Sequence, residues 1–416
     1  MNISCGIDFG TSNSAAAVNV DGDCTLIDLE HGHPTIPSAI FFDAETGRVS
    51  FGRQAIRHYI EGTEGRLMRA LKSILGSALI DQTTLVEGRA LSYKDVIAAL
   101  LRHIKTVAES DANSELTRAV IGRPVFFVDD DAQKDAVAQS TLEACARQAG
   151  FAHVEFELEP IAAALDFETT LEQEQTTLVI DIGGGTADFS VVRLGPRHAR
   201  KRSREDDILS NLGVHIGGAD FDSLLSMAAV MPLVGYKSPG RDGLEIPGWV
   251  YFDLSTWHKI NALHASSVVH EVRGIKSFYA DPTFHARLMK VLTKRLGHLL
   301  LGRVEAAKIT ASGNARGVIA LEEIEPALSS HINVAMLRSV LAHKCDAIVE
   351  TARRAVTLAG LTNEHVQTLY FTGGSAALPA LRERFSASFP HSRSVFGDPF
   401  GSVAQGLGVR AGRVFR

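Results

Sequence analysis

Short apolar runs and long amphipathic stretches alternate along this chain. Ser4–Asp8, Ala15–Val20, Ala119–Gly122, Thr177–Asp181, Phe189–Leu194 and Thr368–Thr372 are brief and rich in strand-forming residues, and each predicts a β-strand. Tyr93–Ser110, Asp131–Ala149, Asn333–Ala359 and Ala377–Phe385 are longer and predict helices. In the first of these, Val96, Ile97, Leu100, Leu101 and Ile104 recur at helical spacing and mark one buried face. Gly150 follows the second and suits a C-terminal cap. The mixture predicts an α/β protein with at least one largely buried sheet. Two stretches break the rhythm. Residues 195–207 lie between strand-like runs and predict an enlarged hairpin loop. Residues 228–262 hold Pro232, Pro239, Gly240, Pro247, Gly248 and both tryptophans, and their weak periodicity assigns no element.

Composition narrows the class. A length of 416 residues exceeds what one hydrophobic core normally supports, so at least two cores are expected. Apolar residues make up 45% and charged residues 22%, enough apolar surface to offset chain entropy, which excludes a mainly disordered chain. The formal charge of −6 argues against general binding to nucleic acid or an anionic membrane. Cys5, Cys24, Cys145 and Cys345 are widely separated and form no C-x-x-C pair, so neither a zinc ribbon nor a disulfide scaffold is signalled. With no secretory signal and no apolar run long enough to span a bilayer, the expected location is cytoplasmic. The basic run Arg193–Arg204 is followed by Glu205, Asp206 and Asp207 and has no interleaved aromatics, so a solvated loop tip is expected there.

The chemistry-bearing signal is an internal echo. Ile7-Asp8-Phe9-Gly10-Thr11 is matched by Ile180-Asp181-Ile182-Gly183-Gly184-Gly185-Thr186. Each copy ends an apolar run with an aspartate and then turns through glycine and threonine. Two related half-molecules facing each other across a cleft would explain it. No Walker loop is available, because the pair Gly-Lys never occurs, and no dinucleotide fingerprint follows a strand. Gly10-Thr11-Ser12-Asn13 and Gly183-Gly184-Gly185-Thr186 instead offer consecutive backbone amides without bulky side chains, which suits phosphate oxygens. Phosphate alone needs no aspartate, whereas Mg²⁺ is held by one or two carboxylates with several waters, a role open to Asp8 and Asp181. A third turn, Thr372-Gly373-Gly374-Ser375, again follows a strand-like run.

These motifs resemble the nucleotide-binding domain of the seventy-kilodalton heat-shock chaperones, within the actin and sugar-kinase superfamily. Gly6–Ser14 resembles the family's first phosphate loop and Asp181–Asp188 its second. Glu159–Leu165 resembles the strand-to-helix segment between them, and His215–Asp222 the turn that follows the second lobe's first hairpin. Glu305–Ser312 resembles an adenosine-contacting helix and Phe371–Pro379 the adenosine loop. The motifs occur in family order over nearly the whole chain. Ile121–Pro124, Gly150–Phe156 and the stretch from Asp398 resemble the short, YegD-type members in particular.

The resemblance implies a bilobed actin-like ATPase fold with two ribonuclease-H-like domains. The first lobe would span residues 1–171 with an inserted subdomain at about 39–94, and a C-terminal helix at 394–416 would pack back on it. The second would span 172–393 with an insertion at about 223–317. Lys72 matches the lysine that meets the γ-phosphate, and Glu159 the glutamate that orients the attacking water. Pro160 would keep Glu159 extended, at a strand end rather than in a helix. Asp8 and Asp181 would hold Mg²⁺ through water. Thr11, Ser12 and Thr186 would flank the phosphates, and Asp188 would help fix the second loop. Glu305, Lys308 and Ser312 share one helical face that would meet ribose and adenine. Gly373, Gly374 and Ser375 would lie along the adenosine. Two departures stand out. Ala377 occupies a position where many relatives carry an arginine that stacks on adenine. Pro124 matches a relay proline, but Lys134 replaces the relay arginine.

The expected activity is slow hydrolysis of ATP to ADP coupled to lobe opening and closing, in a monomer whose partners are clients or co-chaperones. After the stretch Asp398–Val409 no apolar linker, β-rich peptide-binding domain or lid is seen, so a module without its own peptide clamp is expected. Three rivals share the fold: a small-molecule kinase, which would need an acceptor-facing aspartate that no motif here supplies; a filament-forming relative; and a nucleotide-binding module without turnover.

Overall fold

A computed structural model of the protein describes residues 2–415 except His31, Glu87, Gly88, Asp129, Asp130, Arg202, Ser203, Asp242, His258, Pro399 and Phe400. The basic run Arg193–Arg204 and the stretch Asp398–Val409 therefore each include positions outside the described residues.

Two sheets dominate, and they are built alike. The first contains β1 (Ile3–Phe9), β2 (Asn13–Val20), β3 (Asp23–Leu26), β4 (Arg118–Arg123) and β5 (His153–Leu158). The second contains β6 (Gln175–Ile182), β7 (Ala187–Leu194), β8 (Ile208–Val214), β9 (Thr368–Thr372) and β10 (Arg393–Phe396). Their orders are β3-β2-β1-β4-β5 and β8-β7-β6-β9-β10. In each, the first three strands form an antiparallel meander, and the last two join the meander's first strand in parallel. The echo between Asp8 and Asp181 is thus a repeat of topology. Each aspartate stands near the end of the strand that opens its meander. The short strand Thr35–Pro37 extends the first sheet by pairing with β2.

Helices cover both sheets, as parallel strands buried on two faces require. They are α1 (Tyr93–Ala112), α2 (Ala132–Gln148), α3 (Glu159–Thr169), α4 (Gly218–Ala229), α5 (Gly297–Ser312), α6 (Ala342–Leu358), α7 (Pro379–Ser388) and α8 (Ser402–Val414). In α1 the stripe from Val96 to Ile104 is fully buried. Ser92 caps its start by accepting the Asp95 N–H, and left-handed Asn113 ends it. In α2 Asp131 is the cap rather than the first turn, and Gly150, at φ +110°, closes the far end. The predicted helix Asn333–Ala359 is divided at Leu341 into Val334–Val340 and α6. Leu337 and Leu341 are both buried, so the joint keeps an apolar side chain inward on each side. The stretch from Ala377 begins as a single tight turn, and α7 starts only at Pro379, whose ring holds Leu378 extended.

The two sheets own separate cores. One gathers β1, β4, α1 and α2 around Phe9, Ile97, Leu101 and Leu142, and the other gathers β6, β7, α4 and α6 around Ile180, Phe189, Leu225 and Ile348. Helix α8 packs against β1, β2 and α3. A small sheet of Ala39–Asp43, Val49–Phe51 and Gly65–Arg69, with the helix Gly52–Ile60, stands beside the first core. The stretch 228–262 folds into short single turns and the helix Trp249–Leu254. It is held by buried Tyr251, whose hydroxyl lies 2.8 Å from that of Tyr279.

Among the described residues of the loop 195–207, Arg197, Lys201, Glu205 and Asp206 are exposed as expected, but the loop is anchored at its end. Arg204 is buried, ion-paired to Glu168 of α3 at 2.8 Å and to Asp207 at 2.5 Å. His198 lies between Asp207 (2.6 Å) and Glu174 (2.8 Å), and Lys201 also meets Asp207. Of the run's cations, Lys201 and Arg204, with His198 beside them, are engaged by acidic partners, two of which, Glu168 and Glu174, lie upstream of the loop.

Candidate nucleotide cleft

Three glycine turns converge between the sheets. The first, from Gly10 to Ser12, joins β1 to β2 and is pinned by Ser38. The Ser38 hydroxyl donates to the Gly10 carbonyl at 2.6 Å, and its N–H donates to the Ser12 carbonyl at 2.9 Å. The second joins β6 to β7, closed by the Gly183 N–H donating to the Thr186 carbonyl at 2.9 Å. It is braced from behind by the start of α4. The N–H groups of Gly218 and Ala219 donate to the carbonyls of Gly183 (3.0 Å) and Gly184 (2.8 Å). That approach requires glycine at 217, where a Cβ would stand 2.5 Å from the Gly185 nitrogen. The two turns abut, because a Cβ at Gly184 would lie 2.8 Å from the Ser12 hydroxyl. Gly185 faces open space. The third turn carries Gly373 at φ +81° against Asp181, and the Ser375 hydroxyl donates to the Gly183 carbonyl at 3.3 Å.

Beneath the turns lies a cluster of charge. Lys72, on the single 3-10 turn Leu71–Ile74, forms an ion pair with Glu159. Glu159 is the first residue of α3 rather than the last of a strand, since Pro160 at the second helical position tolerates the turn. Its side chain passes over Gly122 of β4, where a Cβ would stand 3.1 Å from it. Asp8 and Asp181 reach into the same gap, and Asp188 is paired directly across from Asp181 in the β6–β7 ladder. The Thr186 hydroxyl donates to Asp188 at 3.0 Å.

Four carboxyl groups therefore share one ammonium. Depth in the protein pushes the Asp8 carboxyl up to about 7, aided by the charge of Glu159 and opposed by Lys72. Depth likewise pushes Asp181 up to about 7, with Asp188, Glu159 and Asp8 adding to it. Burial pulls Lys72 down, but Glu159 and Asp8 outweigh that and hold its ammonium above the ordinary range. A surplus of negative charge suits a divalent cation. Among the described residues, no group of three or more His, Cys, Asp and Glu side chains that could hold a metal ion is found.

Helix α5 borders the third turn. Lys308 does not share the exposure of its neighbours. It is buried and ion-paired to Asp222 of α4 at 2.8 Å, beside Gly218. Burial pushes the Asp222 carboxyl up to about 6 against the pull of Lys308. The Ser312 hydroxyl donates to the Lys308 carbonyl at 2.9 Å, and Glu305 is exposed. Lys134 pairs with Asp131 at the surface, whereas Arg123 donates to the Pro124 carbonyl at 3.0 Å.

Several participants escaped the sequence pattern. Ser38 and Asp222 act only through distant partners. A bridge is built from Arg69 of the small sheet and Tyr59 of the helix Gly52–Ile60 on one side, and from Trp257 and His298, the second residue of α5, on the other. There the Arg69 guanidinium lies 5.2 Å over the Trp257 ring, Trp257 meets His298 edge-on at 4.6 Å, and Tyr59 lies 5.3 Å from His298. No local signal joins these residues, though both Trp257 and Tyr59 are large aromatics in polar surroundings.

A family model described as Hsp70 protein matches residues 4–231, more than half of the chain. The matched span runs from β1 past α4. It includes both phosphate-loop candidates, Lys72 and Glu159, and it ends before α5 and the third turn.

Proposed function

This chain belongs to the Hsp70 family of ATP-binding heat-shock chaperones, and from that premise we propose that it binds Mg-ATP between its two sheets, hydrolyses it slowly and couples the nucleotide to lobe movement. One observation carries the reading: two matched glycine turns, each following an aspartate, abut over the Lys72–Glu159 pair. The amides of Gly10 to Asn13 and of Gly183 to Thr186 would cradle the phosphates. Asp8 and Asp181 would hold Mg²⁺ through its water shell, and the ion would neutralise phosphate charge. Lys72 would leave Glu159 for the terminal phosphate, drawn by the larger charge. Glu159, thus released, would accept a hydrogen bond from the attacking water and orient it. Thr11, Ser12 and Thr186 would flank the phosphates. Glu305, Lys308, Ser312, Gly373, Gly374 and Ser375 would face the nucleoside.

The proposal extends to organisation. The first lobe is assigned to residues 1–171 with the insertion 39–94 and the helix at 394–416, and the second to 172–393 with the insertion 223–317. The protein would act as a monomer in the cytoplasm, near the short YegD-type members, and would serve client or co-chaperone proteins. Among the described residues no helix is long and apolar enough to cross a membrane.

The test is phosphate release from Mg-ATP without any acceptor. The unaltered protein should turn over slowly, and Lys72→Ala and Glu159→Ala should each lower the rate by about 100-fold or more. Equal rates in all three proteins would remove the catalytic assignment. Release only on adding a metabolite would favour a small-molecule kinase.

A further inference from the structure

Ser38 is only 1% exposed and stands where three elements meet. It follows the short strand Thr35–Pro37, which pairs with Asn13, Ser14 and Ala15 of β2, and it precedes the small-sheet strand Ala39–Asp43. It lies outside all three glycine turns, yet it makes three hydrogen bonds to the first of them and its flank. Its hydroxyl donates to the Gly10 carbonyl at 2.6 Å, and its N–H donates to the Ser12 carbonyl at 2.9 Å. A serine hydroxyl carries one hydrogen. The third contact, 2.9 Å from the Ser14 hydroxyl, is therefore a bond that Ser14 donates and Ser38 accepts.

These bonds act on peptide planes. A trans peptide unit holds its C=O and the following N–H in one plane, pointing in opposite directions. The Gly10 carbonyl shares its unit with the Thr11 N–H, and the Ser12 carbonyl shares its unit with the Asn13 N–H. Drawing both carbonyls toward Ser38 therefore turns both N–H groups away from it. Ser38 marks the buried side of the turn, while Thr11 and Asn13 are exposed. Gly10 has no side chain of its own to fix the plane, and a Cβ there would stand 2.1 Å from the Asn13 carbonyl oxygen.

We propose that Ser38 is a positioning residue for the first phosphate turn: it aims the Thr11 and Asn13 amides at an anionic ligand while touching none of that ligand itself. Amides fixed in one direction hold an anion more tightly than the same amides in a mobile turn, because the ligand meets no ordering cost on arrival. This inference rests on the assignment of the cleft to Mg-nucleotide and concerns its phosphate end alone.

Titration calorimetry with Mg-ATP and Mg-tripolyphosphate tests it. Ser38→Ala leaves the Gly10 carbonyl without its donor and should weaken both ligands by about tenfold. Ser210→Ala is the control. The buried Ser210 hydroxyl of β8 donates to the Ala355 carbonyl of α6, also at 2.6 Å, so its removal deletes a bond of the same kind outside the turns. That variant should keep both dissociation constants within about twofold of the unaltered protein. Ser38→Cys, close in shape but a weak donor, should fall between, and it carries the test where Ser38→Ala does not fold. Hydrogen exchange should be faster at residues 10–14 of Ser38→Ala and unchanged in the second sheet. Ser38 variants that bind as the unaltered protein does, or an equal weakening by Ser210→Ala, overturn the positioning role and leave the nucleotide assignment standing. Failure of the unaltered protein to bind either ligand overturns both.

Discussion

A methyl group at Gly373 would stand 2.5 Å from the Asp181 carboxylate, on a backbone at φ +81° that side chains avoid. Gly373→Ala should therefore displace both the third turn and Asp181. We expect a loss of about 1–3 kcal/mol in thermal or urea unfolding together with weaker Mg-nucleotide binding. An alanine variant with unchanged melting and binding would show that the turn has room to move. At this scale the sequence was partly legible. Asp8 and Asp181 announce themselves by the echo of two glycine turns. Lys72 and Glu159 do not, because a lysine and a glutamate far apart in the chain carry no mark of each other; only resemblance singled them out. Ser38 carried no signal, and Asp222, though it ends the motif His215–Asp222, gave no sign of its pairing with Lys308, since both partners are chosen by the fold.

Among the elements, α8 reverses the usual rule for helix glycines. Alanine in place of an interior glycine normally stabilises a helix by about 1 kcal/mol. In α8, however, a Cβ at Gly406 would stand 2.0 Å from the Ala162 carbonyl, and one at Gly6 of β1 would stand 2.1 Å from the Gly408 nitrogen. Gly406→Ala should thus destabilise the protein, by roughly 2 kcal/mol or more in chemical denaturation, because backbone would have to shift. A gain in stability would mean that α8 is free to slide on α3. The loop 195–207 gives a second test. Arg204→Met leaves buried Glu168 without its cation and should cost about 3–5 kcal/mol, most of which Glu168→Leu in the same chain should restore. If the double variant is as unstable as the single, the pair is not the loop's anchor. Sequence pattern placed β1 and the helices α1, α2 and α7 within a few residues, because periodicity records burial, but it marked neither α3 nor α8. It missed the loop's anchor, because a run of like charges looks solvated until its acidic partners are known.

For the whole molecule, the aromatic bridge makes acid stability a readout of its seam. Burial, then the neighbouring charges of His264 and Arg69, lowers the His298 imidazole to about 4, against 6.5 for an exposed histidine. His264 is lowered in the same direction, chiefly by burial. Between those two values the unfolded chain binds the proton and the folded chain does not. Stability from His298 is thus full above about pH 6.5 and is lost as pH falls toward 4. The His298 share of the change from pH 7 to pH 5 is a loss of about 2 kcal/mol, opposite in sign to the gain from protonating Asp8 and Asp181, and His298→Phe, which keeps a ring against Trp257 and Tyr59, should remove that share from the profile. Tryptophan emission should follow the same titration, since Trp257 stands between Arg69 and His298. An identical acid profile in the variant would remove His298 from the seam's response.

What the sequence determined by itself was local and repetitive: the strands and helices, the doubled aspartate-glycine turn, the need for two cores and the kinship that motif order implies. Each is encoded in neighbouring residues, because burial period and turn chemistry act over a few positions. What only the tertiary structure decided was which distant residues meet. It set Lys72 against Glu159, paired Lys308 with Asp222, drew Arg204 inward and closed the aromatic bridge between Tyr59 and Trp257. Each of those contacts joins residues far apart in the chain, and no short stretch of chain carries that information.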